Sequence, residues 1–259
     1  MNRIKYLKNI KLNEISLERI LYSIKLRAKD LPHRYSWKSK SEKTLKNKAK
    51  LRKYSNLHTG KRCFIIANGP SLKNTDLTKL KNEFTIGMNR IYLNKEKMGF
   101  MPTYIVVNDI KIQLEQFRDD LNKLDIPRFF NWNARKLFDE SDNLCYIRSD
   151  FNIRFSTDLL KGSWGGHSVT STCLQLAYYM GFKEVILVGK DHSYVEQGVP
   201  GQTIVSNGNE DNHYIKGYYT PGMSWKIPDY KGEELAYRMA KEAFEKDGRK
   251  VLDATVDGK

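Results

Sequence analysis

The chain has 259 residues, 40% hydrophobic and 12% aromatic, with 45 Lys+Arg against 30 Asp+Glu. That aromatic content excludes a disordered body, and no apolar run approaches the ~18–20 residues of a spanning helix, so no transmembrane segment is expected. The charge is uneven: residues 1–60 carry 17 Lys/Arg and 4 acids, a charge of +13, while the other 28 bases and 26 acids leave the rest at +2.

In chain order, residues 1–25 interleave Lys and Arg with apolar positions and show no continuous apolar run or small-residue cleavage site, which predicts no secretory signal. Leu17, Ile20, Leu21 and Ile24 recur at i, i+3, i+4, i+7. Residues 14–28 are therefore expected to form an amphipathic helix with its basic residues on other faces. Residues 36–53, rich in Lys, Ser and Asn, predict a solvated helix or a flexible tether. Residues 58–60 form the junction into the body. There, short apolar runs at 63–67, 84–88, 104–108, 128–131, 144–147 and 184–189 predict strands, and 250–255 a last one. Helices are expected at 109–121, 168–180 and 233–246. In the second, Val169, Cys173, Leu176 and Met180 share one face and Gly181 stops the helix. Apolar strands alternating with helices give an α/β class: one Rossmann-like domain over 61–259, with a mostly parallel sheet and helices on both faces. Residues 1–60 form a basic helical N-terminal arm. Residues 190–229, polar and rich in aromatic residues and Gly/Pro, predict a long lid-like loop before the last helix.

The polar positions at the strands' carboxyl ends are the candidate site, because ligands of open parallel sheets bind beyond those ends. These are Asn68-Gly69-Pro70-Ser71, Asn89-Arg90, Asn108-Asp109 and Lys190-Asp191-His192. In the first turn Gly69 permits close backbone approach and Ser71 can cap the next turn, an arrangement suited to phosphate. The turn before Ser168-Val169-Thr170 can hold an anion at a helix start, or can be a plain Ser168 cap. His213 lies in the long loop near Tyr194, Tyr214, Tyr218 and Tyr219, where an imidazole can serve as general base and hydroxyls can meet developing charge. G-x-G-x-x-G and Walker patterns are absent from the sequence. It has no D-x-D triplet and no His/Cys cluster at zinc spacing, so metal-independent chemistry without a cofactor is expected. Cys63, Cys145 and Cys173 each sit in an apolar stretch and are expected to be buried free thiols of a reducing cytoplasm.

Together these pieces resemble bacterial sialyltransferases of glycosyltransferase family 42 and the wider MptE-like group. The matching stretches are I-I-A-N-G-P-S-L at 65–72, M-N-R at 88–90, V-N-D at 107–109, G-F-K-E-V-I-L-V-G-K-D at 181–191 and N-E-D-N-H-Y-I at 209–215. The closing V-L-D-A-T-V-D-G-K at 251–259 is similar to the ending of the MptE-like group. The resemblance implies a metal-independent inverting glycosyltransferase moving a sialic-acid-like sugar from a CMP-sugar to a capsule- or lipopolysaccharide-type acceptor. It implies His213 as the base, with Tyr194 and Tyr214 as its catalytic company. Donor contacts would come from Asn68, Gly69, Ser71, Asn89, Asn108, Asp109, Ser168, Val169, Thr170 and Asp191. Ser193 stands where the family places its tyrosine, and Ser168-Val169-Thr170 lacks the glycine of the family's turn. Within the MptE-like group, diphosphate transfer from ATP to a hydroxymethylpterin is the competing chemistry. A nucleic-acid-binding protein led by the arm is a third reading, disfavoured by the body's +2 balance. The arm is expected instead to attach residues 1–53 to an anionic membrane at its cytoplasmic face. Homo-oligomerisation stays open.

Overall fold

The computed structural model describes residues 17–191, 198–208, 213–215 and 218–256. The predicted strands form in register with their hydrophobicity: β1 (Arg62–Ile66), β2 (Phe84–Met88), β3 (Tyr104–Val107), β4 (Arg128–Asn131) and β5 (Leu144–Ile147). Two short strands come next, β6 (Ser149–Asp150) and β7 (Ser163–Trp164), then β8 (Glu184–Val188), β9 (Thr203–Val205), β10 (Ser224–Lys226) and β11 (Lys250–Asp253). Seven of them make one sheet in the order β11-β8-β1-β2-β3-β4-β5. Every pairing in it is parallel. β3, β4 and β5 are buried along their whole length, as continuous apolar strands between two covering layers should be.

The chain starts in the middle of the sheet, steps outward to β5, then returns to the other side of β1 for β8 and β11. Right-handed crossovers put connections that run in opposite directions on opposite faces. One face therefore carries the short helical turns between β1 and β5. The other carries α3 (Val169–Tyr179) and α4 (Tyr230–Lys246), which touch each other. Gln175, fully buried in α3, is satisfied by accepting from the backbone N–H of Ser156 and Trp164 and donating to the carbonyl of Trp164. It fixes the chain that leads into the Gly165–Ser168 turn.

Of the solvated helix or flexible tether expected at 36–53, a helix forms, but docked rather than solvated. Helix α1 (Leu17–Lys38) is followed by α2 (Glu42–Arg52), and both dock on the body. Asn47 is buried: its side-chain amide donates to the carbonyl of Tyr146 at 2.9 Å and accepts from the Tyr146 N–H at 2.8 Å. β5 is an edge strand, and this amide satisfies backbone groups that an open edge would leave unpaired. Trp37 packs edge-on against Trp132, and buried Arg148 pairs with Asp30. Polar composition misled the reading because only four side chains of this segment, Trp37, Thr44, Asn47 and Leu51, carry its burial.

The helix expected at 109–121 is broken. A π-helical turn at Ile110–Glu115, capped by Asp109, gives way to a separate helix at Arg118–Asn122. The long loop also carries more order than predicted, with β9 and β10 pairing antiparallel and Tyr214, Tyr218, Tyr219, Trp225 and Ile227 buried. The three cysteines are buried free thiols. No described helix is long and apolar enough to cross a membrane.

Candidate functional site

Where β1 and β8 lead in opposite directions, the segments after their carboxyl ends flank a crevice, the usual ligand position in such sheets. Asp191 locks the two segments together, accepting from the Ser71 hydroxyl at 2.7 Å and from the Ser71 N–H. Gly69 is needed for this approach: a Cβ there would lie 1.8 Å from the Asp191 carboxylate and 2.7 Å from the Gly189 carbonyl. Gly189 itself has φ +70, with Leu72 packed against it.

The crevice opens into a hollow of about 500 Å³, lined among others by Asn68, Asn89, Thr170, Lys190, His213 and Tyr218. It continues into a wider trough of about 1690 Å³ along Asn108, Asp109, Gln113, His167, Tyr219 and Asp229. Asn89, Ser168, Val169 and Glu233 line both. The result is one cleft across the carboxyl ends of the central strands.

Two amide oxygens in this cleft stand out. The Asn68 side chain donates to the Met88 carbonyl at 3.0 Å, which aims its Oδ1 elsewhere. That Oδ1 and the Oδ1 of Asn89 are buried with no hydrogen-bond partner among the described residues. Asn89 has φ +49, a left-handed conformation that asparagine tolerates better than most residues. Buried unpaired acceptors cost about 1–3 kcal/mol each, so a ligand that donates to them recovers that loss.

His213 is held against this wall. Its ring stacks on Tyr218 at 4.0 Å and meets Tyr219 edge-on at 5.3 Å. Burial, with the Arg90 charge in a lesser role, pushes its pKa down to about 4, so the imidazole is neutral at pH 7. Arg90 is buried, donates its guanidinium to the Tyr218 carbonyl and stacks on Phe117 at 3.8 Å. Further out, Lys190 and Glu233 form a buried ion pair at 3.0 Å, and His167 pairs with Asp229 at 3.0 Å. Asp109 caps the π-turn through Ile112 N–H and pairs with Lys226 of β10 at 2.9 Å, tying the long loop to the sheet.

The cleft thus gathers Asn68, Gly69, Asn89, Asn108, Asp109, Ser168, Val169, Thr170, Asp191 and His213. Ser71 is near but turned onto Asp191. Ser168 is also the cap of α3, accepting from the Thr170 N–H. Tyr214 is not on the cleft wall: its backbone N–H donates to the Asn68 carbonyl, and its ring is buried beneath Lys97. Tyr218 lines the hollow instead, four residues further along the same loop. Tyr194 and His192 lie outside the described residues. Sequence reasoning missed Glu233 and Asp229, whose signal was two carboxylates at the start of the last predicted helix. It also missed Gln113, which donates to the Tyr219 hydroxyl at 2.8 Å.

The family model described as 6-hydroxymethylpterin diphosphokinase MptE-like matches residues 39–197, more than half of the chain and including α2. The chain belongs to the MptE-like family. No curated protein matches this MptE-like chain. Among solved structures, a mammalian sialyltransferase in complex with Gal-beta-1-3GalNAc-ortho-nitrophenol is 14% identical at a TM-score of 0.44, covering 87% of this chain and 85% of that one. A second mammalian sialyltransferase structure is 13% identical at 0.41, with the same coverage. The terminal R domain of the myxalamid PKS-NRPS pathway is 12% identical at 0.26, covering 81% of this chain and 54% of that one.

Proposed function

We propose that this MptE-like protein is a metal-independent inverting glycosyltransferase that uses a nucleotide-activated sugar, with a CMP-linked sialic-acid-like sugar as donor and a glycan as acceptor. The observation that carries this reading is the placement of a neutral imidazole, His213, beside the unpaired amide oxygens of Asn68 and Asn89 in the switch-point cleft. Amide oxygens accept from the hydroxyls and amino groups of a sugar nucleotide. A neutral imidazole accepts the proton of an acceptor hydroxyl. The acceptor oxygen then bonds to the anomeric carbon as the bond to the nucleotide phosphate breaks, and the phosphate leaves with the bonding pair. A single displacement inverts the anomeric centre. The arriving donor phosphate counters the Arg90 charge, the lesser of the two causes that lower the His213 pKa, and so raises its basicity.

Diphosphate transfer from ATP to a pterin is the second reading, favoured by the family match. It calls for carboxylates that gather a divalent cation. Each described carboxylate of the cleft is already engaged: Asp191 by Ser71, Asp109 by Lys226, Glu233 by Lys190 and Asp229 by His167. No group of three described His, Cys, Asp or Glu side chains could hold a metal ion; Glu210 and Asp211 lie outside the described residues. Incubation with CMP-, UDP- and GDP-sugars and with ATP, each with and without EDTA, separates the two. CMP release that persists in EDTA supports glycosyl transfer. AMP formation from ATP that EDTA abolishes, with no sugar-nucleotide turnover, overturns it in favour of the second reading.

A further inference from the structure

Helix α1 carries two features that the cleft does not use. Its docked face holds Asp30, His33 and Trp37, at i, i+3 and i+7. At 100° per residue, Leu17, Ile20, Leu21, Ile24, Leu31 and Tyr35 fall on roughly the opposite side, and they are 44–71% exposed. Arg27, Arg34 and Lys38, at i, i+7 and i+11, run along the flank between the two faces.

That flank borders a hollow of about 1020 Å³ between α1 and the segment after β5. Its basic lining is Arg27, Arg34, Lys38, Arg148, Arg154 and Lys161 against only Asp30 and Asp150. Arg148 is spent on Asp30, and Arg154 on Asp150 at 2.6 Å. Arg34 and Lys38 have no ion pair among the described residues, and Arg27 lies over the Phe151 ring at 5.4 Å. A hollow with a basic lining therefore opens beside an apolar stripe that no described residue covers, on one helix.

We propose that α1 lies in the surface of a membrane containing anionic lipid, the stripe entering the acyl boundary and a lipid headgroup phosphate seated in the hollow against Arg34 and Lys38. Interfacial helices bury an apolar face by ~5–10 Å and gain from flanking cations. Charge selects this occupant. Pairing the stripe with a second copy would bring two rows of Arg27, Arg34 and Lys38 together, whereas an anionic surface neutralises them. The proposal is independent of the chemistry in the cleft.

The test is co-sedimentation of the full chain with vesicles of phosphatidylcholine alone or containing one-third phosphatidylglycerol. Pelleting is expected with the anionic vesicles only. At ~1 kcal/mol, or about fivefold, per basic side chain near the surface, R34Q/K38Q should weaken the partition about 25-fold. Ile20→Glu/Ile24→Glu should abolish it. Both pairs are exposed, so circular dichroism and Tm should match the parent chain. Equal pelleting of parent and either variant overturns the proposal. So does thermal stabilisation by inorganic phosphate that R34Q/K38Q abolishes when no vesicle pellets the protein, which would mark a site for soluble phosphate. A dimer in sedimentation equilibrium that Ile20→Glu/Ile24→Glu dissociates, with pelleting unchanged, would assign the stripe to a second copy and also overturn it.

Discussion

Replacing His213 with phenylalanine tests the electrostatics of the cleft without any substrate. In the unfolded chain an imidazole titrates near 6.5; in the fold His213 is held down to about 4 by burial and by Arg90. Between those values the unfolded chain binds the proton and the folded one does not, so stability falls as pH drops below 6.5 and the loss levels off below about 4. The full penalty is roughly 3 kcal/mol, of which about 2 kcal/mol is incurred between pH 7 and pH 5. His33 and His58 are also depressed by burial, but they are common to both proteins and cancel in the comparison. Phenylalanine keeps a flat ring on Tyr218 and removes the titration. Urea unfolding of parent and H213F at pH 7 and pH 5 should therefore show a smaller pH loss in the variant by about 2 kcal/mol. An identical loss in both would show that His213 titrates normally and is not a desolvated neutral base.

Three further expectations concern the cleft and one the sheet edge. His213→Ala should leave nucleotide-induced thermal stabilisation in place and cut turnover by ~10²–10⁴-fold; unchanged turnover removes His213 from the mechanism. Gly69→Ala forces a methyl into Asp191 and the Gly189 carbonyl, so it should cost about 1–3 kcal/mol in urea unfolding and abolish stabilisation by the nucleotide sugar. Lys190→Met strands Glu233 in a buried site and should cost about 3–5 kcal/mol, with Lys190→Met/Glu233→Leu recovering much of it in a double-mutant cycle. Asn47→Ala leaves the Tyr146 N–H and carbonyl of the edge strand unpaired; a loss of about 2 kcal/mol and faster amide exchange at Tyr146 are expected.

Local pattern carried much of this protein. Short apolar runs ending in asparagine marked β2 and β3, because a strand buried on both faces must be apolar throughout while its carboxyl end reaches the polar crevice. Composition around 58–60 and Gly181 marked chain turns where backbone geometry demands them. The resemblance carried by I-I-A-N-G-P-S-L, M-N-R and N-H-Y pointed to Asn68, Asn89 and His213, and all three line the same hollow. Which tyrosine faces the cleft was not legible. Tyr214 and Tyr218 share one irregular segment without a period, and only packing against Arg90 and Asn68 sets Tyr218 on the wall and Tyr214 behind it.

The sequence by itself determined the parallel α/β body, the asymmetry of charge and the apolar stripe of the first helix, since each comes from composition or a spacing of a few residues. Tertiary structure alone decided that α2 is part of the body, because a polar helix docks here through an amide that completes a strand edge. It also decided the pairings of Lys190 with Glu233, His167 with Asp229 and Asp109 with Lys226. Those partners lie 43, 62 and 117 residues apart, and no local spacing encodes a contact made only when the sheet brings its carboxyl ends together.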